Sequence, residues 1–528
     1  MTGGEIAAGG QPLFVEALWA AAPRRRSVLK LWLLFSAVIA LFAIIRLPLD
    51  LNFNAYAFGD RGSFLTVCYL AAHGSRPAVD FGYPYGLLAI LVGQGWFYLF
   101  GLSPRADELA MLACGLAAGW GMARFVSAMR LGVVGVTLVV TALPFAILPS
   151  YQSFIYALEA SVLCNALAEH AAGRRPRALA LATAACLVKP SMGYVYGFIM
   201  LLLIAREASR GDSAASTRIR WREMLAALAP AAATGAILGA LLAAVYGVPS
   251  LIGTLFPTSG RAIYRFFGYG SVLSGGRGLW YHPGGGIDFY LLTISGFWIA
   301  ASVWLLLAGV GAGWRLGGAM LGGRTPSPAD EFVFTCALLH LAFITEFFGG
   351  ASSWEYYSYI LVMGAGATSL SGATAGRIAA LLALLALVGN SAHVEMAIHD
   401  WRSTAPDRPT GGLWASDAER AAWAKVLAAS AGDGTAVVSF QGCAAIMFEE
   451  FAPPLGAYLI PYETLPAEFE RAVARLQRAP KVFAVTGSDY SAALALYPEL
   501  ARLLKRREVM LNVTADGITF TVYGGPPL

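Results

Sequence analysis

Long apolar stretches separated by short, arginine-rich loops occupy most of the sequence between residues 28 and 394. An α-helix needs about 20 apolar residues to cross the hydrocarbon of a bilayer. Charged residues make up 13% of the 528 residues, whereas about 25% is typical of soluble domains. These features exclude a soluble enzyme, a disordered regulator and a coiled coil. They predict an α-helical polytopic membrane protein.

About eleven transmembrane helices account for the apolar stretches. The stretches run near 28–48, 106–129, 131–149, 152–172, 178–204, 223–247, 289–310, 331–348, 356–372 and 376–394. We interpret 178–204, which Lys189-Pro190 interrupts, as two short helices, with one kinked helix as the alternative. We place the short run 87–101 along the outer surface. With the N-terminus inside, the inner loops then carry about twice as many Lys and Arg residues as the outer loops, as the positive-inside rule requires.

The composition changes near residue 396, where the apolar runs shorten and charged residues become more frequent. Residues 435–440 and 481–487 are typical of short buried strands, and 464–478 and 491–507 of amphipathic helices. Residues 509–523 alternate around Asp516-Gly517, which predicts a β-hairpin. We therefore expect a C-terminal soluble α/β domain.

The sequence is thus divided into three parts. These are a cytoplasmic N-terminus (1–27), a transmembrane module (28–395) with periplasmic loops 49–105 and 248–288, and a periplasmic α/β domain (396–528).

The first outer loop, 58–88, is dense in polar residues. Asp60 precedes a predicted amphipathic helix at 61–73, and a carboxylate at a helix N-terminus is stabilised as the anion. That position suits a general base or a metal ligand facing a lipid-linked substrate; a plain helix cap is the alternative. Asp80 lies shortly before Pro84 and Gly86, where it could bind substrate or cap a turn.

The Gly-Asp pair after the first span and the segment HGSRPAVDFGYPYG resemble the GT-C membrane glycosyltransferases. The resemblance is to their bacterial branch, which is similar to protein O-mannosyltransferases and lipid A aminoarabinose transferases. In that family the loop carries a catalytic acid and a segment of the form G-x-x-P-Y-x-D-[FY]-x-x-P-x-G. The matching residues are His73, Gly74, Pro77, Asp80, Phe81, Pro84 and Gly86. Ala78 and Val79 depart from the usual Tyr-Arg.

The resemblance implies an enzyme that takes a sugar from a polyprenyl-phosphate carrier and attaches it, with inversion, to an acceptor on the outer face. Asp60 then corresponds to the catalytic carboxylate that deprotonates the acceptor. The family's second acid falls on Glu159, where Glu replaces Asp. A structural pairing of Glu159 with Lys189 is the alternative, since buried charges in a membrane need partners.

A donor phosphate needs cations around it. Lys189 stands at the predicted break between two short helices, and loop 248–288 contains arginines interleaved with aromatic residues. Arginine can bind phosphate oxygens bidentately, although an interfacial aromatic belt is the alternative. The predicted substrate-binding residues are Asp80, Tyr83, Lys189, Arg261, Arg265, Arg277, His282, Glu355 and Tyr357.

The predicted partners are a polyprenyl-phosphate-linked sugar, a glycan or lipid acceptor and the membrane lipids. The net charge of +5 is spread over many loops, so nucleic acid is not expected. The sequence predicts no required cofactor, and a requirement for a divalent cation is left open. The alternatives are a lipid-linked glycan transporter or flippase, which predicts inverted repeats, and a non-catalytic assembly subunit. The Ala-, Gly- and Arg-rich composition favours a bacterial inner membrane, with the N-terminus cytoplasmic and the C-terminal domain periplasmic.

Overall fold

Helices make up nearly all of the described chain before residue 404. The structure, a computed structural model, describes residues 25–53, 56, 60–148, 153–208, 221–256, 289–322, 326–344, 357–406, 412–430, 435–438, 465–485, 497–515 and 518–525. The helices before residue 404 are α1 (Arg25–Ile45), α2 (Leu47–Asp50), α3 (Asp60–Ala72), α4 (Leu87–Phe100), α5 (Pro104–Met129), α6 (Val133–Thr141), α7 (Leu143–Ile147), α8 (Phe154–Ala171), α9 (Arg175–Val188), α10 (Pro190–Ala208), α11 (Trp221–Tyr246), α12 (Val248–Leu255), α13 (Phe289–Leu321), α14 (Pro328–Ile344), α15 (Ser358–Thr368) and α16 (Ala373–Ser403).

Six helices of the described chain are long and apolar enough to cross a bilayer. They are Ser27–Ile45, Pro104–Met129, Pro190–Ala208, Trp221–Tyr246, Gly296–Leu321 and Ala373–Ser403. The five other predicted spans correspond to shorter or more polar helices: α6 with α7, then α8, α9, α14 and α15. The helical membrane fold is confirmed, and the number of eleven spans stays a prediction.

The interrupted stretch 178–204 forms a hairpin of two helices, α9 and α10, and not one kinked helix. Lys189 between them is extended, with φ −150° and ψ 113°. A Cβ on Gly193 would lie 2.6 Å from the backbone nitrogen of Cys186. In one continuous helix these residues would stand about 10 Å apart, so the two helices pack antiparallel. The predicted break is confirmed, although α10, with 19 residues, is longer than expected.

This hairpin leads to a topology prediction. A periplasm-active reporter fused after residue 215 should show no activity, because α10 returns the chain to the side on which α9 begins. A fusion after residue 528 should be active, because eleven spans leave the C-terminus outside. Reporter enzyme activity in whole cells measures both. Activity of the fusion after residue 215, or inactivity of the fusion after residue 528, would each contradict the eleven-span arrangement.

Ion pairs join several helices at the end of the bundle where α9 begins. Glu169 of α8 pairs with Arg124 of α5 and with Arg174. Glu331 of α14 lies 2.6 Å from Arg175 Nη2. Arg174 and Arg175 lie in the loop 173–177, which the predicted topology places inside, and Arg124 lies near the predicted inner end of the span 106–129. The structure therefore brings charged residues from the predicted inner ends of several helices together, and the buried Glu169 and Glu331 carboxylates find arginine partners there.

Helix α3, in the first outer loop, is more buried than the sequence predicted. This helix begins at Asp60, one residue earlier than predicted, and residues 61–68 are all buried, so it is not amphipathic along its first two turns. The reason is that α3 lies between the bundle and α4. Phe64 stacks on Phe154 at 5.0 Å between ring centroids, and a Cβ on Gly93 of α4 would lie 2.7 Å from the Phe64 ring.

Helix α4 covers the stretch predicted to lie on the surface. It has 14 residues, about 21 Å of helix, which is shorter than the roughly 30 Å hydrocarbon core. Its C-terminal end exposes apolar side chains, with Tyr98 90% and Leu99 72% exposed. These features favour an interfacial helix, as predicted.

The C-terminal domain contains a four-stranded mixed sheet. Its elements are β1 (Thr404–Pro406), β2 (Trp414–Ser416), α17 (Asp417–Ser430), β3 (Ala436–Val438), α18 (Pro466–Arg478), β4 (Val482–Val485), α19 (Pro498–Lys505), β5 (Glu508–Ala515) and β6 (Ile518–Gly524). The strand order is β3-β4-β6-β5, with β3 parallel to β4 and the other pairs antiparallel. The predicted hairpin and the helix predicted at 464–478 are confirmed. The helix predicted at 491–507 is present as Pro498–Lys505, after a non-helical Tyr497, and residues 491–496 lie outside the described residues. Helix α17 and the β1–β2 pair were missed, and α16 continues past residue 396 to Ser403.

Candidate functional site

A buried charge network fixes the start of α3, directly after Asp60. Asp60 is the first residue of that helix, and its side chain lies outside the described part of the structure. Arg61 is 5% exposed, and its guanidinium lies 3.0 Å from Asp50 Oδ1 and 2.7 Å from Glu108 Oε2. Burial alone lowers the pKa of Arg61, but Tyr56, Glu108 and Asp50 outweigh it and raise that pKa. The network therefore anchors the backbone on which Asp60 stands.

Close backbone approach at Gly62 completes this anchor. A Cβ on Gly62 would lie 1.7 Å from the carbonyl oxygen of Tyr56, so a larger residue does not fit. The Tyr56 hydroxyl donates to Asp107 Oδ2 at 3.0 Å. Sequence reasoning missed this network. A signal was present, since Asp50, Asp107 and Glu108 are acids at the ends of apolar stretches, where charges need partners.

Asp80 closes a tight turn in the motif segment, residues 76–86. Its carboxylate accepts the backbone N–H of Arg76 at 2.8 Å and the Arg76 Nε–H at 3.1 Å. The hydrogen bonds from the Arg76 side chain lower the pKa of Asp80. Ala78 within the turn has a positive φ of 59°. This geometry fits the turn-cap alternative, and substrate binding by Asp80 stays a prediction.

The last glycine of the motif segment touches the helix break. The Gly86 N–H donates to the carbonyl oxygen of Val188 at 2.9 Å. A Cβ on Gly86 would lie 2.0 Å from the Leu187 carbonyl oxygen. Val188 directly precedes Lys189 in the sequence. The motif segment therefore lies beside Lys189, although about a hundred residues separate them along the chain.

Replacing Gly86 with Ala should therefore destabilise the protein. The added methyl group meets the rigid backbone of Leu187, and overpacking of this kind costs about 1–3 kcal/mol. Thermal unfolding of the detergent-solubilised protein measures the effect as a lowered Tm. Gly95→Ala is the matched control, since a Cβ there meets no atom within 4 Å and Ala favours the helix. Equal Tm values for both variants would contradict the expected clash.

Lys189 is enclosed by aromatic rings and one carboxylate. Its Nζ lies 2.5 Å from the Tyr357 hydroxyl and 4.0 Å from Glu159 Oε2. It also stands 4.0 Å from the centroid of the Tyr156 ring. Lys189 is 7% and Glu159 1% exposed. The pairing of Glu159 with Lys189 is therefore real, and it does not exclude a role in binding or catalysis.

The Tyr357 hydroxyl connects the two charges. It accepts from the Lys189 ammonium and interacts by hydrogen bonding with Glu159. Among the described residues, Glu159 Oε1 and the Tyr359 hydroxyl are buried and have no hydrogen-bond partner. Buried polar atoms in native proteins are nearly always satisfied. The unsatisfied Glu159 Oε1, on the carboxylate that faces the Lys189 ammonium, therefore leaves room for a polar group of a bound ligand.

A row of tyrosines connects the motif segment with Lys189. The rings of Tyr83 and Tyr85 lie 5.7 Å apart, and those of Tyr85 and Tyr156 lie 6.3 Å apart. Tyr83, a predicted substrate-binding residue, is 4% exposed. Sequence reasoning did not identify Tyr85 or Tyr156, because tyrosines at a membrane boundary are common.

Five further predicted substrate-binding residues belong to loop 248–288 and to the segment before α15. Arg261, Arg265, Arg277, His282 and Glu355 lie outside the described residues. Within the described ranges, no group of three or more His, Cys, Asp or Glu side chains is arranged to hold a metal ion.

One solved structure has a similar overall fold. The sequence matches no protein-family model and no curated protein sequence. The crystal structure of ArnT from Cupriavidus metallidurans bound to undecaprenyl phosphate matches with a TM-score of 0.50 and 14% sequence identity. The match covers 94% of this chain and 99% of that chain. The chain is therefore a helical membrane protein with the GT-C fold of membrane glycosyltransferases and a C-terminal α/β domain.

Proposed function

We propose that the protein is an inverting glycosyltransferase that uses a polyprenyl-phosphate-linked sugar. The acceptor is a glycan, a lipid or a polysaccharide of the bacterial envelope, reached at the periplasmic face of the inner membrane. The observation that carries this proposal is the contact of the motif segment with the helix break at Lys189, in a chain of GT-C fold. ArnT, solved with undecaprenyl phosphate, supports the class of donor.

In the proposed reaction Asp60 is the general base. It removes the proton of the acceptor hydroxyl, whose oxygen attacks the anomeric carbon of the sugar. The bond from that carbon to the phosphate oxygen breaks, and the electron pair leaves with polyprenyl phosphate. The position of Asp60 at the first residue of α3 favours the ionised carboxylate, and the Arg61 network keeps the helix start in place.

The leaving phosphate gains negative charge as the bond breaks, and a positioned cation stabilises this charge. We assign that role to Lys189, together with Arg261, Arg265 and Arg277 of the loop 248–288. Glu159 and Tyr357 orient the ammonium. In a buried site this interaction is much stronger than in water.

The test is the sugar composition of envelope lipids and polysaccharides from a deletion strain. We expect one sugar to disappear from one polymer and to return with the wild-type gene. An unchanged composition would contradict the transferase proposal. Accumulation of a complete lipid-linked glycan, with every sugar present, would favour a flippase instead.

A further inference from the structure

We infer that the C-terminal domain positions the motif segment, residues 76–86, through Glu468 and Arg471 of α18. Both side chains hold the backbone of the motif segment itself. The effect on sugar transfer rests on the proposed function, whereas the effect on the segment's order does not.

Glu468 is bound to a backbone amide of the motif segment. Its Oε2 accepts the Gly82 N–H at 3.1 Å and the N–H of Leu465, at the start of its own helix, at 3.2 Å. Glu468 is 4% exposed and Gly82 is buried. A buried backbone N–H requires a partner. Truncation of Glu468 would therefore leave the Gly82 amide unsatisfied.

Arg471 makes the second contact, one helical turn further along α18. Its Nη2–H donates to the carbonyl oxygen of Asp80 at 2.7 Å. Since both contacts are to main-chain atoms, they constrain the path of the segment whatever its side chains bind. Burial raises the pKa of Glu468 to about 7, while the N–H groups of Gly82 and Leu465 act in the opposite direction. A carboxylate buried at such a cost is not an ordinary solvated surface acid.

The rest of the motif segment is held by the membrane module. Gly86 donates to Val188 at the helix break. A Cβ on Gly253 of α12 would lie 3.1 Å from the Ala78 Cβ. The contacts of α18 fall between these two points. The motif segment is therefore held by contacts to the membrane module on one side and to the C-terminal domain on the other.

The same domain also contacts the chain before Asp60. The Trp414 N–H donates to the carbonyl oxygen of Leu51 at 2.9 Å, and the Trp423 ring meets the Phe53 ring at 5.3 Å between centroids. Phe53 and Trp423 are fully buried. The domain thus touches the predicted periplasmic loop 49–105 on both sides of Asp60, the proposed base. A domain that only stabilised the bundle would not need the buried hydrogen bond from the Gly82 N–H to Glu468.

The test uses Glu468→Ala, Glu468→Gln and the control Glu470→Ala in the full-length protein. Glu470 lies on the same helix and is exposed. Hydrogen–deuterium exchange of peptides covering residues 77–86 measures the order of the segment. We expect roughly tenfold faster exchange in Glu468→Ala. The reason is that a buried N–H that loses its hydrogen-bond partner destabilises the closed state by about this factor or more. Glu470→Ala should be unchanged, and Glu468→Gln should largely recover, because its amide oxygen still accepts from Gly82.

Binding of undecaprenyl phosphate and the return of the missing sugar in the deletion strain are measured on the same variants. We expect a several-fold higher Kd and reduced transfer for Glu468→Ala only. Unchanged exchange in Glu468→Ala would overturn the inference. A further outcome is faster exchange in Glu468→Ala while the wild-type protein neither binds undecaprenyl phosphate nor transfers sugar. That result would support the positioning role and overturn the proposed function. If Glu468→Ala does not fold, Arg471→Met against the exposed control Arg478→Met tests the same positioning role by the same measurements.

Discussion

Replacement of Asp60 by Asn is expected to abolish sugar transfer without loss of the folded protein. An amide cannot take the proton of the acceptor hydroxyl, and a general base contributes about 10²–10⁴-fold to the rate. Folding should persist because Asn is as good as Asp at a helix N-terminus. The measurement is the envelope sugar composition of the deletion strain carrying the variant, with the protein level determined by immunoblot.

Asp417→Asn is the matched control, since Asp417 is also an acid at the first residue of a helix, in the C-terminal domain. It should restore the missing sugar fully. If Asp60→Asn does the same, Asp60 is only a helix cap, and the transporter or assembly-subunit alternative gains support.

Lys189→Met is expected to have the second large effect, on stability and on binding together. It leaves Glu159, which is 1% exposed, without its counter-charge. Removing one partner of a buried pair costs about 3–5 kcal/mol. We expect a strongly lowered Tm in detergent and no measurable binding of undecaprenyl phosphate.

A double variant separates the two effects. Lys189→Met with Glu159→Gln removes both charges, so most of the lost stability should return. Binding should stay absent, because the ammonium is missing. Lys425→Met, on the exposed face of α17, serves as the control and should change neither quantity. A folded double variant that binds undecaprenyl phosphate like the wild type would show that Lys189 has a structural role only.

Much of the fold follows from local composition. The apolar stretches predicted the membrane helices, because the cost of placing polar groups in hydrocarbon acts on each segment separately. The Lys189-Pro190 interruption predicted the hairpin of α9 and α10 for the same reason. The alternation around Asp516-Gly517 predicted the hairpin of β5 and β6. Where burial depended on neighbours, the prediction was wrong, as in the fully buried first turns of α3.

The candidate site was predictable as a set of residues but not as an arrangement. The motif segment and Lys189 were both identified from the sequence, yet their contact through Gly86 and Val188 was not. Nor was the hydrogen bond from Gly82 to Glu468, which are 386 residues apart. Composition and periodicity indicate whether each segment is more stable in hydrocarbon or in water. The sequence by itself therefore determined the membrane helices and the α/β domain. Pairings between distant residues leave no periodic signal, because they depend on how the helices pack, and only the tertiary structure decided them.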